Sequence, residues 1–319
     1  MGSKVLIIAM VDYEDRNPYE EDTRKLCNVD VCGCYKRVST KLAKAIRYVH
    51  RYSSVPGFEK WLGDYYMNDL NYYDVVIIMG CGAAWRPAIE LKKKFPDVRI
   101  IFYLRDPLTK VINPYRLKKT HGVETWTFSR SDAEQYKLNY NHQFFSGIKE
   151  YCLKKIEYDV FFVGGVNKFY KKRVEILKKL SKIFDENNIT YFFGIVYDEK
   201  YKGEKVFEMD HWLDEQEYLN MVEKSRVMLD LIEPDYSWMT LRPLEALWYK
   251  KKLITNFKDI QKEDFYIKEN VYILEDNDER NIVNFLNSEW KEAPAQIYEA
   301  YSFKKWLENF GKIRIEERK

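Results

Sequence analysis

The stretch from Met221 to Phe257 reads MVEKSRVMLDLIEPDYSWMTLRPLEALWYKKKLITNF, and its parsing decides the fold class. Val227 to Ile232 is nearly all apolar and of strand length, which predicts a strand buried on both faces. Glu233-Pro234-Asp235 ends it, because proline cannot extend a central strand. Leu241 to Tyr249 follows as a helix, with Thr240 as its N-cap and Pro243 tolerated in the first turn. Lys250, Lys251 and Lys252 crowd the end of that helix, where its dipole favours cations, and Leu253 to Thr255 begins another strand. Strand, loop, helix and strand make one βαβ unit. Ligands of open α/β sheets bind outside the carboxyl ends of the strands, so Thr240, Arg242 and Glu245 become candidate ligand contacts.

The pattern of a buried strand feeding a loop and then a helix also starts at Val5, Val75 and Val160. Lys4 to Met10 predicts the first strand, and its polar exit carries Asp12, Glu14 and Asp15. Helical spacing of Leu42, Ile46 and Val49 predicts a helix over 40–52. Asp74 to Met79 and Arg99 to Leu104 read as further buried strands, the first followed by Gly80-Cys81-Gly82 and the second by Asp106. Ser131 reads as the cap of a helix. In the second half, Val160 to Val163 feeds Gly164-Gly165, and a helix from about Tyr170 to Phe184 follows. Glycines let the main chain approach a phosphate, a helix N-terminus offers N–H groups, and Lys168 or Arg173 adds charge. A tight strand-to-helix turn without a ligand would look the same. Tyr298 to Phe310 predicts one amphipathic helix with Phe303, Trp306, Leu307 and Phe310 on its apolar stripe.

Composition narrows the classes. The 319 residues suit two domains of ordinary size. With 46% hydrophobic and 32% charged residues the chain is globular rather than disordered. A net charge of +3 is too small for a nucleic-acid partner to be expected. No apolar run approaches the roughly 18 residues that span a bilayer, and no signal peptide is read, so a cytoplasmic location is expected. Lysine and arginine clusters at 92–94, 116–119 and 168–173 offer peripheral contact with the inner membrane face, although such clusters are often just solvated. Cys27, Cys32 and Cys34 lie as C-x4-C-x-C without a fourth ligand, so reduced thiols and no metal site are expected. Asp276-Asn277-Asp278 and the acidic residues from Asp12 to Asp15 read as solvated loops.

Three segments carry a resemblance. Ser237-Trp-Met-Thr-Leu-Arg-Pro-Leu-Glu245-Ala-Leu followed by Lys252-Leu-Ile-Thr-Asn256, Tyr158-Asp-Val-Phe-Phe-Val-Gly-Gly165, and Thr127-Phe-Ser-Arg-Ser-Asp132-Ala-Glu-Gln-Tyr136 stand in the chain. In that content and order they resemble GT-B glycosyltransferases of the bacterial lipopolysaccharide and capsular polysaccharide biosynthesis group. The resemblance implies an α/β protein with two Rossmann-like, doubly wound domains facing across a cleft. Residues 1–150 would bind the acceptor and 151–297 the nucleotide sugar. Residues 298–319 would form a C-terminal helix crossing back to the first domain.

The implied activity is transfer of a sugar from a UDP- or GDP-linked donor to a saccharide or lipid-linked acceptor. The donor is a substrate, no cofactor is needed, and no divalent metal takes part. Glu245 would accept from ribose hydroxyls, although a glutamate near a helix N-terminus is favourable without any ligand. Thr240 and Arg242 would meet the diphosphate, with Arg242 neutralising charge on the leaving nucleotide and Leu241 between them in the nucleotide-sugar site. Gly164, Gly165, Lys168 and Arg173 complete the donor side. Asp106 is the leading general base, with Asp12, Asp15 and His121 as further acceptor-side candidates. Many GT-B enzymes carry a second glutamate eight positions before the ribose contact, and here Ser237 stands there. That departure leaves the stereochemistry open. It also keeps alive a non-catalytic nucleotide-sugar-binding partner or sensor, and a sugar-nucleotide epimerase.

Overall fold

The computed structural model describes residues 2–9, 17–53, 56–80, 85–106, 108, 122–146, 154–166, 172–233, 238–274 and 280–318. They form two compact units, Met1–Gly147 with Ser302–Lys319, and Ile148–Tyr301. Asp12, Asp15, His121, Lys168 and Ser237 lie outside the described residues.

The first unit is built on six parallel strands in the order β2-β1-β3-β4-β5-β6. They are β1 Val5–Ala9, β2 Val29–Gly33, β3 Val75–Gly80, β4 Arg99–Leu104, β5 Glu124–Thr127 and β6 Asn139–Tyr140. Every residue of β1 and β3 is buried, as their unbroken apolar runs require of central parallel strands. Ile78, Phe102 and Leu104 pack with Phe58 and Leu62, which 3-10 turns carry onto one face of the sheet. Gly80 is forced here, because a Cβ would collide with the Phe102 ring. Helices α1 Glu20–Thr23, α2 Lys41–Tyr52, α3 Trp85–Lys94 and α4 Arg130–Tyr136 complete the layers described. Ser129, two residues before the expected Ser131, caps α4 by accepting from Asp132 N at 3.1 Å.

The second unit carries five parallel strands, ordered β11-β10-β9-β7-β8. Their ranges are β7 Tyr158–Val166, β8 Tyr191–Tyr197, β9 Ser225–Asp230, β10 Lys252–Thr255 and β11 Val271–Ile273. The helices between them are α5 Lys172–Glu186, α6 Glu215–Glu223, α7 Arg242–Trp248, α8 Arg280–Asn287 and α9 Ala295–Ala300. A capping box starts α6: Asp214 accepts from Glu217 N, and the Glu217 carboxylate accepts from Asp214 N, both at 2.8 Å. The strand order reverses between β7 and β9, which makes the carboxyl ends of those two strands the switch point.

The single helix expected over 298–310 is two. Helix α9 ends at Ala300, and α10 Phe303–Glu308 starts afresh under Ser302, whose hydroxyl accepts from Lys305 N at 3.2 Å. That serine cap competes with continued helix, a local signal the apolar stripe concealed. Within the first unit Trp306 is fully buried against Tyr103 and Phe144, with ring centroids 5.0 and 4.3 Å away. Asn141 Nδ2 donates to Trp306 O at 3.0 Å, and Phe310 meets Trp126 edge-on at 5.0 Å. Burying an indole of ~200 Å² contributes roughly 5 kcal/mol before entropy is counted, so this segment is an integral part of that unit's core.

The lysine run is also corrected. Lys250 is exposed, but Lys251 and Lys252 are buried. Lys251 Nζ donates to Ser225 O at 2.5 Å and Glu223 O at 3.3 Å, and Lys252 Nζ to Phe285 O at 2.5 Å and to Ser288 O. Both ammonium groups therefore plug the carbonyl ends of neighbouring helices rather than that of α7. Burial pushes each of them down to about 8.

Candidate functional site

Strands β7 and β9 stay paired as far as Phe161 and Met228. Beyond that point their carbonyls need other donors. Two arginines supply them. Arg242, the first residue of α7, donates from Nη2 to Val163 O at 2.8 Å and from Nη1 to Leu229 O at 3.2 Å. Arg173, in the first turn of α5, donates from Nη1 to Gly165 O and from Nε to Leu231 O, each at 2.8 Å. Both guanidiniums face the Phe162 ring, at 5.3 Å for Arg242 and 5.9 Å for Arg173. The switch point of the second sheet is thus bridged by two planar cations. Neutral carbonyls satisfy their N–H groups without cancelling their charge.

Acidic groups tune that charge. Asp230 ends β9 and is 1% exposed. It accepts from the Thr240 hydroxyl at 2.9 Å and the Thr255 hydroxyl at 3.3 Å, and lies 3.9 Å from Arg242 Nη1. Glu245, one turn into α7, accepts from Tyr218 Oη through Oε2 at 2.7 Å. Its other oxygen carries no hydrogen bond among the described residues. Burial opposes the Arg242 charge, but Tyr218, Asp230 and Glu245 outweigh it and hold the guanidinium above its ordinary value. Burial, reinforced by the Glu245 carboxylate, pushes the Tyr218 hydroxyl up, so it stays a donor at neutral pH.

The loop ahead of α7 is shaped by Thr240. It is not the N-cap expected, since Leu241 holds that position without a side-chain cap. The Thr240 hydroxyl instead accepts from Arg242 N at 3.2 Å while donating to Asp230, so it ties the loop to the end of β9. Asn256 fastens the same region, accepting from Ile232 N at 2.8 Å and donating to Ile232 O at 2.7 Å. Leu241 is 41% exposed at the rim. Trp212, 57% exposed, lies over Gly165, where an added Cβ would stand 3.0 Å from the indole. Glycine at 165 is what lets the ring rest on the main chain.

The structure therefore gathers Gly164, Gly165, Arg173, Thr240, Leu241, Arg242 and Glu245 at one end of one sheet. Asp106 belongs to the other unit, where it follows β4 and is exposed. Asp132, which stands in the third of the resembling segments, is buried and accepts from Leu108 N at 2.9 Å. Burial raises that carboxyl above its usual range, and its visible role is to hold the chain after β4. Sequence reasoning missed Asp230, Tyr218 and Trp212. Asp230 was detectable as the one polar residue inside an apolar strand run, where a carboxylate must find partners. Among the described residues no group of three or more His, Cys, Asp or Glu could hold a metal ion.

No family model matches the chain, and no curated protein matches it. Solved structures do. The N-terminal domain of Candida albicans trehalose-6-phosphate phosphatase is 13% identical with a TM-score of 0.55, over 97% of this chain and 96% of that one. An alpha-glucosyltransferase in complex with UDP and a 13-mer DNA is 11% identical with a TM-score of 0.51, over 94% and 91%. TarM is 12% identical with a TM-score of 0.50, over 74% of this chain and 53% of that one. The present chain thus spans about half the length of TarM. At such identities the likeness speaks for architecture, and a shared architecture hosts many activities. The two parallel sheets and these relatives agree on one point: the chain has the GT-B glycosyltransferase fold.

Proposed function

We propose that the protein is a glycosyltransferase whose second unit holds a nucleoside diphosphate sugar at the β7/β9 switch point. The observation that carries this reading is the pair of arginines bridging the splayed strand ends beside Gly164-Gly165. A diphosphate brings at least two negative charges, and a fixed guanidinium is suited to oxyanions. Arg242 stabilises charge growing on the leaving nucleotide, so the donor needs no divalent ion. Glu245 takes the ribose hydroxyls through the oxygen that Tyr218 leaves available. The exposed indole of Trp212 offers a stacking face for the base.

The acceptor is read as a saccharide or lipid-linked saccharide of surface polysaccharide or lipopolysaccharide assembly, with the transfer at the inner face of the cell membrane. Asp106 is the proposed base for the acceptor hydroxyl, with Asp12, Asp15 and His121 as alternatives. A second reading, a nucleotide-sugar sensor without transfer, is favoured by Ser237 standing where many GT-B enzymes carry a glutamate.

Melting the protein with UDP, GDP and CMP and their sugar conjugates tests the proposal, because a ligand of the folded state raises Tm by mass action. A shift with a diphosphate nucleotide, lost in Arg242→Ala, is expected. No shift with any nucleotide at millimolar concentration overturns both readings. Release of the sugar from the bound donor, lost in Glu245→Ala, separates the enzyme from the sensor.

A further inference from the structure

Helix α2 turns outward what a surface helix ordinarily buries. Leu42, Ile46 and Val49 follow at i, i+4 and i+7 on one face and are 71%, 42% and 54% exposed. The helix is anchored through polar groups instead. Arg47 is buried and donates from Nη1 to Lys36 O at 3.1 Å, and His50 Nδ1 accepts from Trp61 Nε1 at 3.0 Å. Thr40 caps the first turn by accepting from Ala43 N at 3.2 Å. The apolar stripe therefore faces water on a helix that is otherwise well fixed, which is the mark of an interaction surface.

Charge identifies the occupant. From Val31 to Gly57 the sequence holds six basic residues, Lys36, Arg37, Lys41, Lys44, Arg47 and Arg51, and no Asp or Glu. Lys41 and Lys44 are exposed, and their ammonium groups have no ion-pair or hydrogen-bond partner among the described residues. We propose that α2 docks the protein on an anionic lipid surface, with Leu42, Ile46 and Val49 inserted and Lys41 and Lys44 at the headgroup phosphates. Helices of this kind lie in the interface plane with the apolar face about 5–10 Å deep. At 12 residues, α2 is about 18 Å long and suits that posture. Among the described residues no helix is long and apolar enough to cross a membrane.

The other occupants fit worse. A two-fold contact between copies would set the lysines of one against those of its partner. Nucleic acid would take the lysines and leave the three aliphatic side chains in water. An anionic bilayer satisfies both. The inference goes beyond the donor site and does not depend on it.

Sedimentation of the full chain with vesicles of phosphatidylcholine, alone or mixed with phosphatidylglycerol, tests it. The protein should bind the mixed vesicles and leave the neutral ones. Leu42→Ser/Ile46→Ser/Val49→Ser and Lys41→Gln/Lys44→Gln should each weaken binding at least about tenfold. All five side chains are exposed, so both variants should keep their Tm, and the pair of lysines gives an independent reading should the serine variant melt early. The proposal is overturned by no binding to mixed vesicles, by equal binding to neutral ones, or by binding that survives both variants. It is equally overturned if the serine variant dissolves a dimer, or the glutamine variant abolishes nucleic-acid binding, while vesicles go unbound.

Discussion

Arg173 and Arg242 stand at the carboxyl end of the second unit's sheet, and Lys251 and Lys252 at the amino end of β10, and both pairs donate to backbone carbonyls. The chemistry differs. The lysines sit at helix ends, where carbonyl dipoles replace water imperfectly, and burial pushes their ammonium groups down to about 8. Arg242 has Asp230, Glu245 and Tyr218 around it, and its guanidinium stays charged. One pair closes the fold, and the other keeps a permanent charge at the switch point. A buried cation thus points to a ligand site when its charge is maintained and its place in the topology is where ligands enter.

The contrast breaks most visibly at Arg242. Arg242→Ala should cost roughly 3–5 kcal/mol in urea unfolding, since it strips two strand carbonyls and leaves Asp230 uncompensated. It should also lower nucleotide affinity at least about tenfold by calorimetry. Full affinity in a folded variant would mean that the arginine pair is structural, like the lysines. Lys252→Met should cost about 1–3 kcal/mol by leaving Phe285 O and Ser288 O without their donor, and should leave nucleotide affinity unchanged.

Two changes sharpen the reading of the site. Trp212→Ala should weaken nucleotide binding by about 1–3 kcal/mol, the range for a base stacked on an aromatic ring, with little change in Tm. Asp230→Asn should lower affinity a few-fold while costing about 1–3 kcal/mol of stability, because the charge holding Arg242 and one acceptor are lost together. Unaltered affinity there would show that Thr240 and Arg242 hold their positions without the carboxylate.

A further effect is one of pH. Lys251 and Lys252 titrate near 8 when folded and near ~10.4 when unfolded, so between these values the unfolded chain holds more protons. Stability should therefore rise between about pH 8 and pH 10 and be flat with respect to these groups below that. The urea midpoint of Lys251→Met/Lys252→Met should lose that rise. A midpoint that climbs identically in wild type and variant would assign it to other groups.

How far the sequence is legible follows from the range of the forces involved. The strands were readable because runs such as Val5 to Ala9 and Val75 to Met79 are apolar on both faces, and Glu245 and Arg242 were marked by their place after a buried strand. Partners distant along the chain were not. Nothing in the local sequence singles out Tyr218, and only folding brings it 2.7 Å from Glu245. Three consecutive lysines read as the cationic end of α7, yet the carbonyls that bury two of them lie some 26 to 36 residues away in sequence. The outward face of α2 was invisible for the same reason: its spacing predicts a helix, but which side meets the protein is decided by Arg47 and His50.

The central claim, that the β7/β9 switch point receives a nucleoside diphosphate, is tested most directly by a crystal structure of the protein soaked with UDP or GDP. The account predicts a diphosphate beside Gly164-Gly165 within hydrogen-bond reach of Arg173 or Arg242, and a ribose on Glu245. A nucleotide seated elsewhere, with both guanidiniums still donating only to their strand carbonyls, would contradict it.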